Sequence, residues 1–170
     1  TYIKIDGGHA YLALVTDAYS KKLMGWKLDN NMKVNLVKEA LKMAHNNLIH
    51  KHKTVIHHSD RGLQYCGNEY QKTLLENGIR CSMTEKYDPY QNAVAERING
   101  ILKQEFIRGI TTDDLELMTK LIEQSINIYN NERPHWSCFM NTPNQMHQQN
   151  KLKIRTYKTK NSIVENHNAI

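Results

Sequence analysis

The sequence predicts an α/β fold: a five-stranded mixed sheet with helices on both faces, its elements in the order βββαβαβαα. Three observations predict it. The chain opens with β-rich runs separated by turn residues, "TYIKI", "AYLALVTDAYS" and "LMGWKL". Later segments place apolar residues at helical spacing. Between those segments lie two short apolar runs, "TVIHHS" and "IRCSMT". Strands followed by a strand and helix alternation favour a layered sheet with helices packed against it.

Taken in order, Asp6-Gly7-Gly8 is a hairpin signal, because glycine reaches positive φ at little cost. A second turn is expected near Ser20-Lys21-Lys22. Val34, Val37, Leu41, Ala44 and Leu48 then mark an amphipathic helix, with Asn30 or Asn31 as its expected N-cap. "TVIHHS" is the fourth strand, "NEYQKTLLEN" a helix closed by Gly78, and "IRCSMT" the fifth strand. After the loop "EKYDPYQ", residues Val94, Ile98, Ile101 and Leu102 share one helical face. Thr111 with Asp114 resembles a capping box opening a helix striped by Leu115, Met118, Ile122, Ile126 and Tyr129. Thr142-Pro143 has the form of an N-cap and first-turn proline for a short last helix. The methionines and Trp26 read as core. The division expected is a catalytic-size core over 1–150 and a basic tail over 151–170. In the tail, "KLKIRTY" reads equally as an added edge strand or as disordered chain.

A chain of 170 residues is long enough for one sizeable core. Its 39% hydrophobic and 24% charged residues are ordinary for a globular domain. No apolar run approaches the ~18 residues of a membrane span, and the start shows no secretory signal. Cys66, Cys81 and Cys138 are odd in number and form no Cys-x-x-Cys pair, which argues against a disulfide framework or zinc ribbon and fits a reducing cytosol. The formal charge of +6 and pI near 9.2 suit a polyanion partner, usually nucleic acid, or simply a solubilising lysine excess.

The chemistry starts at Asp60, placed at the carboxyl end of strand four, the edge where ligands of open α/β sheets bind. Gly62 is expected to let the backbone turn sharply away. Thirty-five residues separate Asp60 from Glu96, which lies near a helix start and off its apolar stripe. Asn99, Gly100 and Lys103 lie further along the same side of that helix. Gly100 is expected to leave space, and Lys103 to reach a phosphate. Magnesium prefers hard oxygen ligands, and two such ions can clamp the attacking and leaving oxygens of a phosphoryl displacement. Against this, a lone Asp before Gly is commonly a turn residue, and a Glu in a first helical turn commonly a dipole partner.

Three segments go further. "IHHSDRGLQYCGNEY", "GIRCSMTEKYDPYQNAVAERINGILKQE" and "YNNERPHWSCFMNTP" resemble, in this order, the integrase-like catalytic core of bacterial insertion-sequence transposases of the two-reading-frame type, a superfamily shared with retroviral integrases. The resemblance runs from Thr1 to about Gln148. It implies a ribonuclease-H-like fold, with Asp60 and Glu96 as catalytic residues and ligands of Mg²⁺ (Mn²⁺ as substitute) in a two-metal site. It also implies DNA partners, namely element ends and target duplex, a homo-oligomeric active form, no membrane, and a bacterial cytoplasmic setting. Lys103, Asn99, Arg133 and Arg61 become the DNA-binding candidates. Gln91 departs from the family's usual Tyr-Asp-Asn-Ala loop, outside the metal ligands.

In this family the first catalytic aspartate lies on strand one, in an Asp-Ile-Thr-Tyr-Ile-like stretch. Thr1-Tyr2-Ile3 matches its last three positions, so that aspartate falls two residues before Thr1. Asp6 and Asp17 are poor substitutes: Asp6 sits at the wrong end of strand one, and Asp17 ends strand two. His57 and His58 point to opposite faces of a strand and so cannot share a metal. Arg133-Pro134-His135 reads equally as a phosphate contact or as a structural turn, and Tyr87-Asp88-Pro89-Tyr90 as a substrate-side loop or as packing. Two functions of different class are open. One is a DNA strand-transfer enzyme core. The other is a catalytically incomplete module that binds nucleic acid and dimerises. A ribonuclease or resolvase of the same fold fits the later boxes less well.

Overall fold

The computed structural model describes residues 1–49, 54–84, 92–149 and 151. The Tyr87–Tyr90 loop, Gln91 and all of the tail beyond Lys151 lie outside the described residues. The elements are β1 (Tyr2–Ile5), β2 (Gly8–Thr16), β3 (Leu23–Asp29), α1 (Val34–Asn46), β4 (Val55–Ser59), the one-turn α2 (Leu63–Cys66), α3 (Asn68–Glu76), β5 (Ile79–Met83), α4 (Ala93–Ile101), a π-helical turn (Leu102–Ile107), α5 (Leu115–Asn131), a 3₁₀ turn (Trp136–Cys138) and α6 (Pro143–His147).

The turn chemistry explains most of the boundaries. Asp6-Gly7 is a two-residue hairpin loop, with Gly7 at φ +78° and Ile5 paired to Gly8. Gly78, at φ +64°, stands past the end of α3 in the left-handed region. Thr142 caps α6 through a full capping box with Gln145, and Pro143 fills the first turn. Two caps differ from expectation. Helix α1 begins at Val34 behind Lys33, with no side-chain cap, because Asn31 is instead turned back to Asp29 and Asn30. Helix α5 is capped by Asp114 itself, whose carboxylate accepts the N–H groups of Glu116 and Leu117. Thr111 is therefore not its cap.

Helices do cover both faces. Strand β2 alternates Leu12 toward one side and Ala13 toward the other. The first side packs with Ile98 and Ile101 of α4 and with Met118, Ile122 and Tyr129 of α5. The second packs with Leu36, Val37 and Leu41 of α1 and with Tyr70 and Leu74 of α3. Met24, Met118 and Met146 are buried and Trp26 packs partly against the core, but Met32, Met43 and Met140 are exposed. Reading every methionine as core was too broad.

The single five-stranded sheet is corrected. Among the described residues, β1, β2 and β3 form an antiparallel three-stranded sheet, and β4 and β5 a separate parallel pair. The physical reason lies between β2 and β4. Thr1 and Leu12 exchange backbone bonds at 2.8 Å. By the alternation of an antiparallel ladder, Leu14 and Thr16 aim their backbone groups to the same side as Leu12. Beyond Thr1 they face a cavity of about 470 Å³, walled on one side by Leu14 and Thr16 and on the other by Val55 and His57. Strand β1 runs from Thr1 away from that gap, toward Asp6, so no ladder bridges β2 to β4.

Candidate active site

Strand β4 ends with Ser59 buried, and the next residue, Asp60, is exposed to solvent. The Asp60 Oδ1 accepts the Gly62 N–H at 2.9 Å. Gly62 has φ −57° and ψ 141°, a conformation open to any residue. Its value is clearance: a Cβ there would meet Asp60 Oδ1 at 3.0 Å and Gln64 Nε2 at 2.6 Å. So the glycine makes room for the carboxylate, and the backbone freedom expected of it is not used. Arg61 is exposed, with its Nε donating to the Thr84 carbonyl at 2.9 Å, which ties the end of β4 to the end of β5.

Glu96 lies exposed in the first turn of α4. The start of α4 and the end of β4 face one cavity, whose wall includes His57 and His58 from β4, Asn92 just before α4, and Val94 and Ala95 from α4. Asp60 stands two residues past His58, and Glu96 one residue past Ala95. Asn99 and Lys103 lie further along the helix, both half-buried. A Cβ at Gly100 would meet nothing within 4 Å, so open space surrounds that position. Lys103 belongs to this end of the molecule as well. Lys103 and Asp60 both act electrostatically on the Thr1 nitrogen. The start of β1, the end of β4 and Lys103 are therefore within electrostatic reach of one another.

The alternatives have other occupations. Asp17 accepts Ser20 Oγ at 2.5 Å and pairs with His147 Nδ1 at 3.1 Å. Burial opposes its charge, but the bonds from His147 and Ser20 outweigh this and hold its carboxyl well below the usual range. It clamps α6 to the β2–β3 turn. His57 is half-buried, with Nε2 on the Tyr70 hydroxyl at 2.9 Å, while exposed His58 meets Ser82 Oγ at 2.9 Å. The two rings do serve opposite faces. Burial, with His58 nearby, lowers the His57 pKa to about 4, so the ring is neutral near pH 7. The three cysteines are free.

Arg133 fits the structural-turn reading in part, its Nη1 donating to the Pro134 carbonyl at 3.3 Å, and it makes in addition an ion pair that neither reading contained. It grips Glu105 through Nε and Nη2, at 2.6 and 2.7 Å. Neither Glu105 nor His147 was singled out in the sequence. Their partners lie 28 and 130 residues away, so no local pattern reports them.

As to a divalent cation, Asp60 and Glu96 are hard oxygen donors of the kind magnesium takes. Among the described residues no group of three or more His, Cys, Asp or Glu side chains is gathered to hold a metal. The donors fit in type.

The chain matches the model of the integrase core domain family over residues 1–89, and a second integrase core domain model over residues 77–143. The chain belongs to the integrase core domain family. It is 36% identical over 154 residues to transposase InsF for insertion sequence IS3fB of Escherichia coli K12, an overlap of 88% of this chain and 52% of that protein. It is 34% identical over 146 residues to a Mycobacterium tuberculosis protein (strain CDC 1551 / Oshkosh) assigned as transposase for insertion sequence element IS986/IS6110, covering 81% of this chain and 51% of that one. The chain thus spans about half the length of the curated relatives it matches. The HTLV-2 integrase catalytic core domain, solved in complex with magnesium in a trimeric form, superposes with a TM-score of 0.67 at 18% identity, over 86% of this chain and 90% of that one. The likeness confirms an integrase-type, ribonuclease-H-like α/β fold for this core. Among its described residues no helix is long and apolar enough to cross a membrane.

Proposed function

We propose that this integrase core is the catalytic part of a DNA transposase, which cuts a phosphodiester at a mobile element's end and joins the freed 3′-hydroxyl to target DNA. The observation that supports it most is one cavity walled both by β4, which Asp60 directly follows, and by the start of α4, which carries Glu96, with Lys103 in electrostatic reach of Asp60's surroundings. Asp60 and Glu96 would hold Mg²⁺, with Mn²⁺ as substitute. Bound there, a pair of such ions supplies Lewis-acid charge to the attacking and leaving oxygens. The chain's own part is positional. Lys103 meets a backbone phosphate, and Asn99 and Arg61 flank it on the helix and at the end of β4. Binding of this kind is largely indifferent to sequence and weakens steeply with salt.

The third carboxylate comes from strand one, two residues before Thr1, as the family resemblance implies. The ladder register supports that position. The residue before Thr1 would pair with Ala13, on the α1 side, and the one before that with Leu14, sharing the face of Thr1 and Ile3 that α4 covers. An aspartate there looks toward the helix that carries Glu96. The second reading, a module that binds DNA without cutting it, is favoured for residues 1–170 by the absence, among the described residues, of a group of three or more side chains gathered to hold a metal.

The test is metal-dependent nicking and strand transfer on a duplex carrying the element's end. Residues 1–170 should be silent with Mg²⁺ or Mn²⁺. A chain extended by its native upstream segment ending in Asp-Ile, together with its DNA-end-binding region, should be active. In that longer chain Asp60→Asn or Glu96→Gln should lower the rate by at least about 10³-fold, some 4 kcal/mol of transition-state stabilisation, with melting unchanged. Cleavage by the short chain that is lost on Asp17→Asn would overturn the assignment. An extended chain that binds DNA but never cuts would favour the second reading.

A further inference from the structure

Leu102 and Ile107 bracket the π-helical turn and are both buried, in the core shared with α4 and α5. In an α-helix a separation of five positions would set them roughly 140° apart around the axis. In a π-helical turn, with its i to i+5 bonds, they fall on one side. The apolar anchors therefore suit the wider turn. Phe106, between them, packs partly against the same core, while the polar Lys103, Gln104 and Glu105 carry no apolar anchor of their own.

Arg133, just beyond α5, makes that connection. Its Nε reaches Glu105 Oε2 at 2.6 Å and its Nη2 reaches Glu105 Oε1 at 2.7 Å, a two-bond fork. Its Nη1 donates to the Pro134 carbonyl at 3.3 Å and to His135 Nε2 at 3.2 Å. Four of the guanidinium's five N–H donors are thereby used within the protein. The anchorage extends inward. The His135 ring stands edge-on to Tyr129 at 5.1 Å, and the buried Tyr129 donates its hydroxyl to the Lys21 carbonyl at 2.8 Å. Arg133 is thus fastened to α5 and the β2–β3 turn, and through it so is Glu105.

We infer that the Glu105–Arg133 fork is a positioning device that fixes the rotation of the π-helical turn so that Lys103 faces the Asp60 end of the sheet. Residues two apart on a helix do not share a face, so holding Glu105 on one side presents Lys103 on another. A return to α-helical winding would remove one residue from the turn and swing the downstream residues by roughly 100°. Arg133 acts through Glu105, and its remaining donor is not the basis of DNA binding. This rests on the reading of Lys103 as a phosphate contact.

The test is equilibrium binding of a labelled mixed-sequence duplex to residues 1–170 over a range of salt. Lys103→Ala should weaken binding and lower the salt slope by about one. Glu105→Gln removes a negative charge, so simple electrostatics calls for tighter binding. The positioning role calls for the opposite, about fivefold weaker binding with the same lowered slope. Arg133→Lys keeps the charge but not the fork and should weaken binding alike. In a Lys103→Ala background neither change should have a further effect. Tighter binding by Glu105→Gln would show instead that Glu105 sequesters a DNA-contacting Arg133, and would overturn the inference. So would additive effects in the Lys103→Ala background. Should Arg133→Lys melt below the assay temperature, Glu105→Gln, which keeps the side chain's size, decides alone. If Lys103→Ala itself leaves binding unchanged, the phosphate-contact reading fails and takes the inference with it. If Lys103→Ala weakens binding and Glu105→Gln does not, the inference alone fails.

Discussion

Thr1 and Leu12 bind each other's backbones in both directions, each N–H to the other's carbonyl at 2.8 Å. That pair is the last rung of the β1–β2 ladder before the cavity, and it sets the register of any residue placed ahead of Thr1. An added Asp-Ile would seat isoleucine beside Ala13 in the core formed with α1 and α3. Burying one such side chain contributes about 2 kcal/mol, or roughly 4–8 °C in a domain of this size. A four-residue apolar extension ending in Asp-Ile should therefore raise the melting temperature, and a Gly-Ser extension of equal length should not. Equal melting of the two would show that the gap between β2 and β4 does not take a strand.

Gly25 on β3 is a close approach between sheet and helix. A Cβ there would lie 2.2 Å from the Ala40 carbonyl oxygen and 2.5 Å from the Ala44 nitrogen, both backbone atoms of α1. Helical backbone cannot step aside as a side chain can. Gly25→Ala should cost about 3 kcal/mol or more, above the common range for overpacking, and lower the denaturant midpoint at an unchanged m-value. Gly100→Ala, with nothing within 4 Å, should be neutral or slightly stabilising, since glycine is unfavourable within a helix. A Gly25→Ala protein as stable as the parent would mean that α1 does not pack on β3 as described.

Acid should weaken the fold well before the carboxylates titrate. His57 and His135 both have folded pKa values lowered to about 4, chiefly by burial, from an ordinary 6.5. For a lowered histidine the unfolded chain binds more protons between those values, so stability is full above about 6.5 and is lost as pH falls toward 4. Urea midpoints measured at pH 7, 5.5 and 4.5 should decline in that order. His57→Gln, which removes one of the two groups, should flatten the decline. A midpoint constant from pH 7 to 4.5 would contradict the buried, neutral state of these rings.

Much of this molecule is legible in its sequence because the signals are local. The apolar spacing along α1, α4 and α5, the Asp6-Gly7 loop and the Thr142-Pro143 cap each depend on residues within a few positions of one another. The expected cap at Asn30 or Asn31 failed because those side chains bond with one another and the Asn31 backbone N–H bonds the Asp29 carboxylate, a competition that the composition of the segment does not rank. The split of the sheet was not legible, since it depends on which strand fills the space between β2 and β4, a question of long-range pairing. The π-helical turn left a signal that could have been read: Leu102 and Ile107 are apolar at a spacing of five, which suits neither an α-helix nor a strand. Of the candidate site, Asp60, Glu96 and Lys103 were accessible through spacing and resemblance. The engagement of Arg133 with Glu105 was not, because charge pairs between distant segments leave no periodic trace.

The central claim is that Asp60 and Glu96 share one cation site. The most direct measurement is the anomalous signal of Mn²⁺ in crystals of the chain extended by Asp-Ile before Thr1. The expected result is a peak at coordination distance, about 2.0–2.2 Å, from carboxylate oxygens of both Asp60 and Glu96, absent in crystals of the Glu96→Gln protein. A peak held instead by Asp17 and His147, or Asp60 and Glu96 carboxylates directed to opposite sides of the sheet, would contradict it.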